Sequence, residues 1–226
     1  MRFDQADRLL NPAPMPLETG YERLADGVLH VAVRTELPGC TGEMFEWWFR
    51  SAPDTSRYVW WHPSDHVSSR WTGLRRDTHV GSVHHVEERF DGGPVQALSI
   101  QFRDNLEIFD AALLAQAQVS GAVSAAVCGR VGEGHAPPMD ADGAVLGSRL
   151  LHIGRDTPAG LVLRSRFWLG QDLPGAGHAP ETLAALAPES AAQALIIHCL
   201  TEFTHLSRFL PSLHEAESGA AVKRVW

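Results

Sequence analysis

His198 and Glu202 lie four residues apart in a stretch, Glu189 to Leu210, that contains no glycine or proline. On a helix that spacing puts both side chains on one face, with His205 one turn further along. An imidazole and a carboxylate set among Leu195, Ile196, Ile197, Leu200 and Phe203 form half of a metal site or half of an acid–base pair. Two other segments offer the remaining half. WWHPSDHVSSRW (60–71) carries His62, Asp65 and His66, and HHVEERF (84–90) carries two carboxylates. Strand alternation sends His84, Val86, Glu88 and Phe90 to one face and His85, Glu87 and Arg89 to the other. The face bearing Val86 and Phe90 is the more apolar, which favours Glu88 over Glu87 as the inward acid. His62 and His66 both stay open as the histidine. A lone His-x-x-x-Glu pair is more often a surface pair than a ligand set, so the second half decides the reading.

The elements that must hold these residues follow from punctuation and periodicity. Residues 1–20, with Pro12, Pro14 and Pro16, read as an extended arm. GVLHVAVR (27–34) alternates as a strand. Thr41 can cap a short helix over MFEWWFRSA, whose aromatics pack inward. Strands are expected over 57–61, 79–90, 97–102 and 122–129. Residues 146–153 and 160–169, joined by RDTPAG, read as a hairpin. Residues 171–188, rich in Gly, Pro and Ala, read as a loop or lid. A long helix closes the chain, with Pro211 as its stop. Six or seven strands followed by one long helix indicate an α+β fold: a curved, mainly antiparallel sheet gripping the helix. Residues 1–50 form an arm with a strand and a short helix, and residues 51–226 the domain that carries the site, together one compact unit.

Composition narrows the class. At 226 residues the chain can bury a sizeable core. A net charge of −8 disfavours a nucleic-acid surface, and no apolar run is long enough to span a bilayer. The N-terminus lacks a signal-peptide apolar core, so a cytoplasmic location is expected. Three widely spaced cysteines make no disulfide framework. Twelve histidines and seven tryptophans suit a polar site in an aromatic-lined cavity, although most surface histidines need no role. Arg164 and Arg166 share one strand face and read as solvated.

The motifs TGYERLADGVLHVAVRTELPGCTGEMFEWWF, YVWWHPSDH, VEERFDG, HIGRDTPAGLVLRSRFWLG and HCLTEFTHL occur in that order from Thr19 to Leu206. Together they resemble the diacetylphloroglucinol hydrolase/phloretin hydrolase family. The resemblance implies a Bet v 1-like, helix-grip fold and a Zn2+ held by His66, Glu88, His198 and Glu202. Tyr58, eight residues before His66, matches a substrate-contacting tyrosine and favours His66 over His62. His152 matches a histidine near the substrate. Ser69 and Phe167 stand where the phloroglucinol enzyme has an asparagine and a tyrosine, so the polar contacts to the ring differ. Trp60 and Trp168, with Trp61, are expected to wall the pocket. Oxygen ligands also suit Mn2+ or Fe2+. The family's tendency to dimerise implies a homodimer.

The implied activity is metal-dependent hydrolysis of a carbon–carbon bond beside a ketone, in a small aromatic ketone such as an acylphloroglucinol. The metal would activate water for attack on the acyl carbonyl, and His152 and Tyr58 would stabilise or protonate the phenolic group. The competing classes are a ligand-binding helix-grip protein without catalysis and a metal-dependent oxygenase. Neither accounts as directly for four candidate ligands.

Overall fold

The computed structural model describes residues 1–173 and 178–219. Its strands are β1 (Gly20–Arg23), β2 (Leu29–Pro38), β3 (His66–Thr72), β4 (Val83–Glu88), β5 (Gln96–Arg103), β6 (Ala125–Glu133), β7 (Ser148–Thr157) and β8 (Gly160–Leu169). They form one antiparallel sheet in the order β1-β2-β8-β7-β6-β5-β4-β3. The expected hairpin is β7–β8, turning at Pro158-Ala159 so that Thr157 faces Gly160. Counting back along it puts His152 opposite Ser165. Gly160 is required there: its φ is +141°, and a Cβ would meet the Leu37 carbonyl oxygen at 2.3 Å.

The helices are α1 (Gly42–Arg50), α2 (Thr55–Trp61), α3 (Ala111–Val119), α4 (Pro180–Leu186) and α5 (Glu189–Ser218). Thr41 caps α1 as expected, its hydroxyl oxygen accepting from the Met44 amide at 3.3 Å. The buried positions of α5 are Ala192, His198, Cys199, Glu202, Phe203, Leu206, Leu210 and His214. Three- and four-residue spacing makes these one stripe, facing the sheet's inner side. The stripe is apolar except for its histidines and Glu202, so the sequence places ionisable groups where packing alone would use leucine. The main core lies between sheet and helices and includes Phe45, Trp48, Phe49, Trp61, Phe102 and Phe203. A second core on the outer face joins Trp168, Leu151 and Ile153 to the N-terminal segment and α3. This is the helix-grip α+β arrangement implied by the resemblance. Among the described residues no single helix is long and apolar enough to cross a membrane.

Several expectations are corrected. Among the described residues there are eight strands, not six or seven. Residues 57–61 are helical: Asp54 accepts from the Arg57 amide and starts α2, overriding the strand preference of its aromatic residues. The N-terminal arm contains a 3-10 helix, Phe3–Leu10. Pro211 does not stop α5, which runs on to Ser218. The proline cannot donate to the Ser207 carbonyl one turn back; the Cys40 thiol points to that oxygen instead, at 3.9 Å. Arg164 and Arg166 are not solvated. The N-terminal segment covers them, and Arg164 donates to Glu18 and to the carbonyls of Asn11 and Ala13. Arg166, 1% exposed, donates to the Leu17 carbonyl. Residues 174–177 of the expected lid lie outside the described residues; α4 follows them.

Candidate metal centre and active-site cavity

The turn after α2 and the start of β3 bring His66 to the edge of the sheet. There it is the direct cross-strand partner of Glu88, the last residue of β4. Helix α5 crosses behind them and supplies His198 and Glu202. The four side chains converge. His66 Nε2 lies 3.3 Å from His198 Nε2, 3.6 Å from Glu88 Oε2 and 3.9 Å from Glu202 Oε2. His198 Nε2 lies 3.9 Å from Glu88 Oε2. All four are buried. His66, His198 and Glu202 form a cluster that could hold a metal ion, and Glu88 Oε2 borders it.

The tautomers follow from the other ring nitrogens. His66 Nδ1 is 2.8 Å from the Tyr58 carbonyl oxygen, which can only accept, so Nδ1 carries the hydrogen. His198 Nδ1 is 3.2 Å from Asp65 Oδ2, with the same consequence. Two Nε2 lone pairs therefore face each other across 3.3 Å. A cation between them would relieve the repulsion of the two lone pairs. Two imidazole nitrogens and two carboxylates are a donor set suited to zinc, and to other divalent metals that accept oxygen.

Electrostatics point the same way. Burial pushes the Glu88 carboxyl up to about 7, although the Tyr58 hydroxyl donates to it and pulls the other way. Burial, then the nearby Glu88, raises Glu202 well above the ordinary carboxylate range. Burial drives His66 down to about 2 and His198 to about 4. The imidazoles are thus neutral and ready to bind through nitrogen. The carboxylates lack compensating positive charge, which a divalent cation supplies.

Around this cluster stands an outer layer. Asp65 accepts from His198 and from the Asp91 and Gly92 amides, at 3.2 and 3.4 Å. His62 stacks on His198 with ring centroids 4.5 Å apart. Its Nδ1 accepts from the Asp65 amide at 3.1 Å, and with Asp65 and His198 it forms a second group that could hold a metal ion. Tyr58 stacks flat on His66 at 3.7 Å and fixes Glu88 through its hydroxyl. His205 is half-buried, its ring 6.5 Å from that of His62.

The cluster lies on the wall of a cavity of about 540 Å³, within the range of small-molecule sites. His84, Phe49, Trp61, Phe90, His152 and Phe167 line it near the cluster, and Leu146, Leu150, Leu183 and Leu195 line it further along. His152 is buried among Phe45, Phe49, Phe167 and Phe203, with Nδ1 2.8 Å from Ser165 Oγ. Burial lowers it to about 3, so it is neutral.

Three expected pocket residues lie elsewhere. Trp60 is 53% exposed and rests on Phe209. It and Trp61 are about 100° apart on α2, so only one can face inward, and Trp61 does. Trp168 is on the outer face of β8, donating to the Met1 carbonyl, because strand alternation opposes it to the inward Phe167. Ser69 does not line the cavity; its hydroxyl lies between the Pro53 carbonyl and His84. Sequence reasoning missed Ser165 and Phe49. Ser165 was recoverable from the hairpin register, whereas nothing separated Phe49 from the other aromatics of α1.

The DAPG hydrolase PhiG domain profile matches residues 1–215. The 2,4-diacetylphloroglucinol hydrolase of Pseudomonas protegens is 28% identical, over 94% of this chain and 72% of that protein. The phloretin hydrolase of Eubacterium ramulus is 27% identical, over 88% of this chain and 72% of that protein. Similar solved structures include Ara h 8.0201, at 11% identity and a TM-score of 0.47 over 82% of this chain and 99% of that one. A Nitrosomonas europaea protein follows, at 12% identity and a TM-score of 0.46 over 83% and 96%.

Proposed function

Because the chain belongs to the DAPG hydrolase PhiG domain family, we propose that it hydrolyses the carbon–carbon bond between an acyl carbonyl and a hydroxylated aromatic ring, with a divalent metal, zinc by preference, as cofactor. Acylphloroglucinols are the proposed substrate class. The carrying observation is the pair of facing Nε2 lone pairs flanked by two buried carboxylates on the wall of a largely apolar cavity. A protein that only binds an apolar ligand has no need to bury such a set.

In this reading His66, Glu88, His198 and Glu202 hold the cation. When bound, it polarises the acyl carbonyl and lowers the pKa of a water beside it. The water oxygen adds to the carbonyl carbon. The acyl–ring bond then breaks with its electron pair passing to the ring carbon, which takes up a proton. The products are a carboxylic acid and the deacylated phenol. Ring hydroxyls make the step feasible, because the keto form of the ring behaves as a β-diketone and spreads the electron pair.

The chain's own groups position the substrate. His152 stands on the cavity wall outside the ligand set, neutral, with Nε2 unpartnered among the described residues. It is placed to hold a ring oxygen or pass a proton. Tyr58 keeps its phenolic hydrogen, since burial, then Glu88, raises it well above its ordinary value. Its hydroxyl donates to Glu88 and orients that carboxylate. Phe49, Phe167 and Phe203 exclude bulk water around His152.

Metal analysis and turnover test this together. Protein purified without chelator should contain stoichiometric divalent metal and release a carboxylic acid from an acylphloroglucinol. Full turnover by metal-free protein would overturn the cofactor assignment. A metal-loaded protein inert towards every acylphloroglucinol and related aryl ketone would overturn the substrate class.

A further inference from the structure

His84 is four residues before Glu88 on the same face of β4, and only the Tyr58 ring separates it from His66: Tyr58 meets His84 at 5.2 Å and His66 at 3.7 Å. His84 is 2% exposed and lines the cavity. Its ring is sandwiched in place: Trp71 stacks on it at 4.1 Å, and Tyr58 meets it edge-on at 5.2 Å. The ring therefore cannot swing, and what it offers the cavity depends on its tautomer.

Hydrogen bonding fixes that tautomer. Ser69 Oγ lies 2.7 Å from the Pro53 carbonyl oxygen, which can only accept, so the hydroxyl hydrogen points there. The same Oγ lies 2.7 Å from His84 Nε2. With its one hydrogen committed, Ser69 must accept, and Nε2 must carry the imidazole hydrogen. Burial lowers His84 to about 3, so the ring is neutral and holds only that hydrogen. Nδ1 is then a lone-pair acceptor, and it has no partner among the described residues. The side chain is more than nine-tenths buried and unpartnered at this one atom.

We propose that His84 Nδ1, set as an acceptor by the Ser69–Pro53 relay, receives the hydrogen of the ring hydroxyl para to the substrate's acyl group. The inference rests on the reading of the cavity as an acylphenol site and adds a specificity determinant to it. With the acyl carbonyl at the His66–His198 cluster, the ortho hydroxyls lie near that cluster. The para hydroxyl is the one carried away from it along β4. A phenol donates more readily than it accepts, so an acceptor-only nitrogen selects it over an ether or a ketone at that place. Ser69 acts through His84 and is a positioning residue.

Binding measurements test this without requiring turnover. The probes are 2,4,6-trihydroxyacetophenone and 2,6-dihydroxyacetophenone, which differ only in the para hydroxyl. The wild-type protein should bind the former roughly five- to tenfold tighter, the worth of one net hydrogen bond. His84→Leu should bind the two equally. His84→Asn, whose amide oxygen can occupy the Nδ1 position, should keep part of the preference. Ser69→Ala should weaken it while leaving His84 in place. Nitrogen NMR of histidine-labelled wild-type protein should show His84 as the Nε2–H tautomer. A preference that persists in folded His84→Leu, or an Nδ1–H tautomer, would overturn the proposal. Equal binding of both ketones by the wild type would overturn it and leave the acylphenol reading standing. Binding of neither would overturn both.

Discussion

His66 stands directly across the β3–β4 ladder from Glu88, with Nε2 and Oε2 3.6 Å apart, while Glu87 turns to the outer face and accepts from Ser68. One step of strand register thus separates a cavity carboxylate from a surface one. Glu88→Gln should lose bound metal and turnover; Glu87→Gln should retain both. Elemental analysis and product release on the two purified variants check this. Loss of metal from Glu87→Gln alone would move the ligand to the other face.

Asp65 does not line the cavity, yet it accepts from His198 Nδ1, which does. Asp65→Ala should leave the fold intact and weaken metal affinity by roughly 10–100-fold, the usual cost of losing an outer hydrogen bond to a ligand histidine. Competition with a chelator of known affinity reads this. Unchanged affinity would mean that Asp65 serves only to anchor the Asp91-Gly92 turn.

Glu202 gives the opposite signs for stability and activity. Burying its carboxyl without a cation is unfavourable, so metal-free Glu202→Gln should melt no lower than metal-free wild type. The wild type should gain thermal stability on adding zinc, and the variant should gain far less. Its turnover, like that of His198→Ala, should vanish. Calorimetry with and without metal distinguishes this from simple unfolding of the variant.

Buried histidines set the acid limit of the fold. His30, His79, His84 and His152 are not members of the ligand cluster, and burial lowers them to about 3, 4, 3 and 3. Their unfolded value is 6.5, so below that pH the unfolded chain binds more protons than the folded one. Stability is complete above 6.5 and is lost as the pH falls towards 4. The raised carboxyls of Glu88 and Glu202 act in the other direction, but in metal-free protein His66 and His198, lowered to about 2 and 4, join the other four, so they are two against six and the histidines set the sign. Urea midpoints at pH 7.5 and 5.5 check the sign; a higher midpoint at 5.5 would contradict it.

Sequence spacing reveals some of this site and conceals the rest for identifiable reasons. The helix period alone aligns His198 with Glu202, and the strand period alone prefers Glu88 to Glu87, because each is a property of one element. The same period places Phe167 and Trp168 on opposite faces, so assigning both to the cavity could not hold. Tyr58 sits in TSRYVWW, whose residues favour a strand; the short helix depends on the Asp54 cap and on packing against α5. The pairing of His66 or of His62 with His198 is a tertiary matter: each lies in a buried group that could hold a metal ion, His66 with His198 and Glu202, His62 with Asp65 and His198. The burial of Arg164 and Arg166 needed the path of the N-terminal segment, which local pattern does not encode.

His66 and His198 are 132 residues apart in the chain, and β3 is an edge strand. An ion shared between them would act as a clasp, closing a very long loop and fastening the sheet's free margin to the last helix. Loop closure of that length is entropically demanding, so the clasp could fasten only after the sheet and α5 had docked. Metal uptake would then be a late event in folding and a checkpoint on it. A chain whose margin had frayed would show itself by what it failed to capture, and protease nicking near β3 would report the difference.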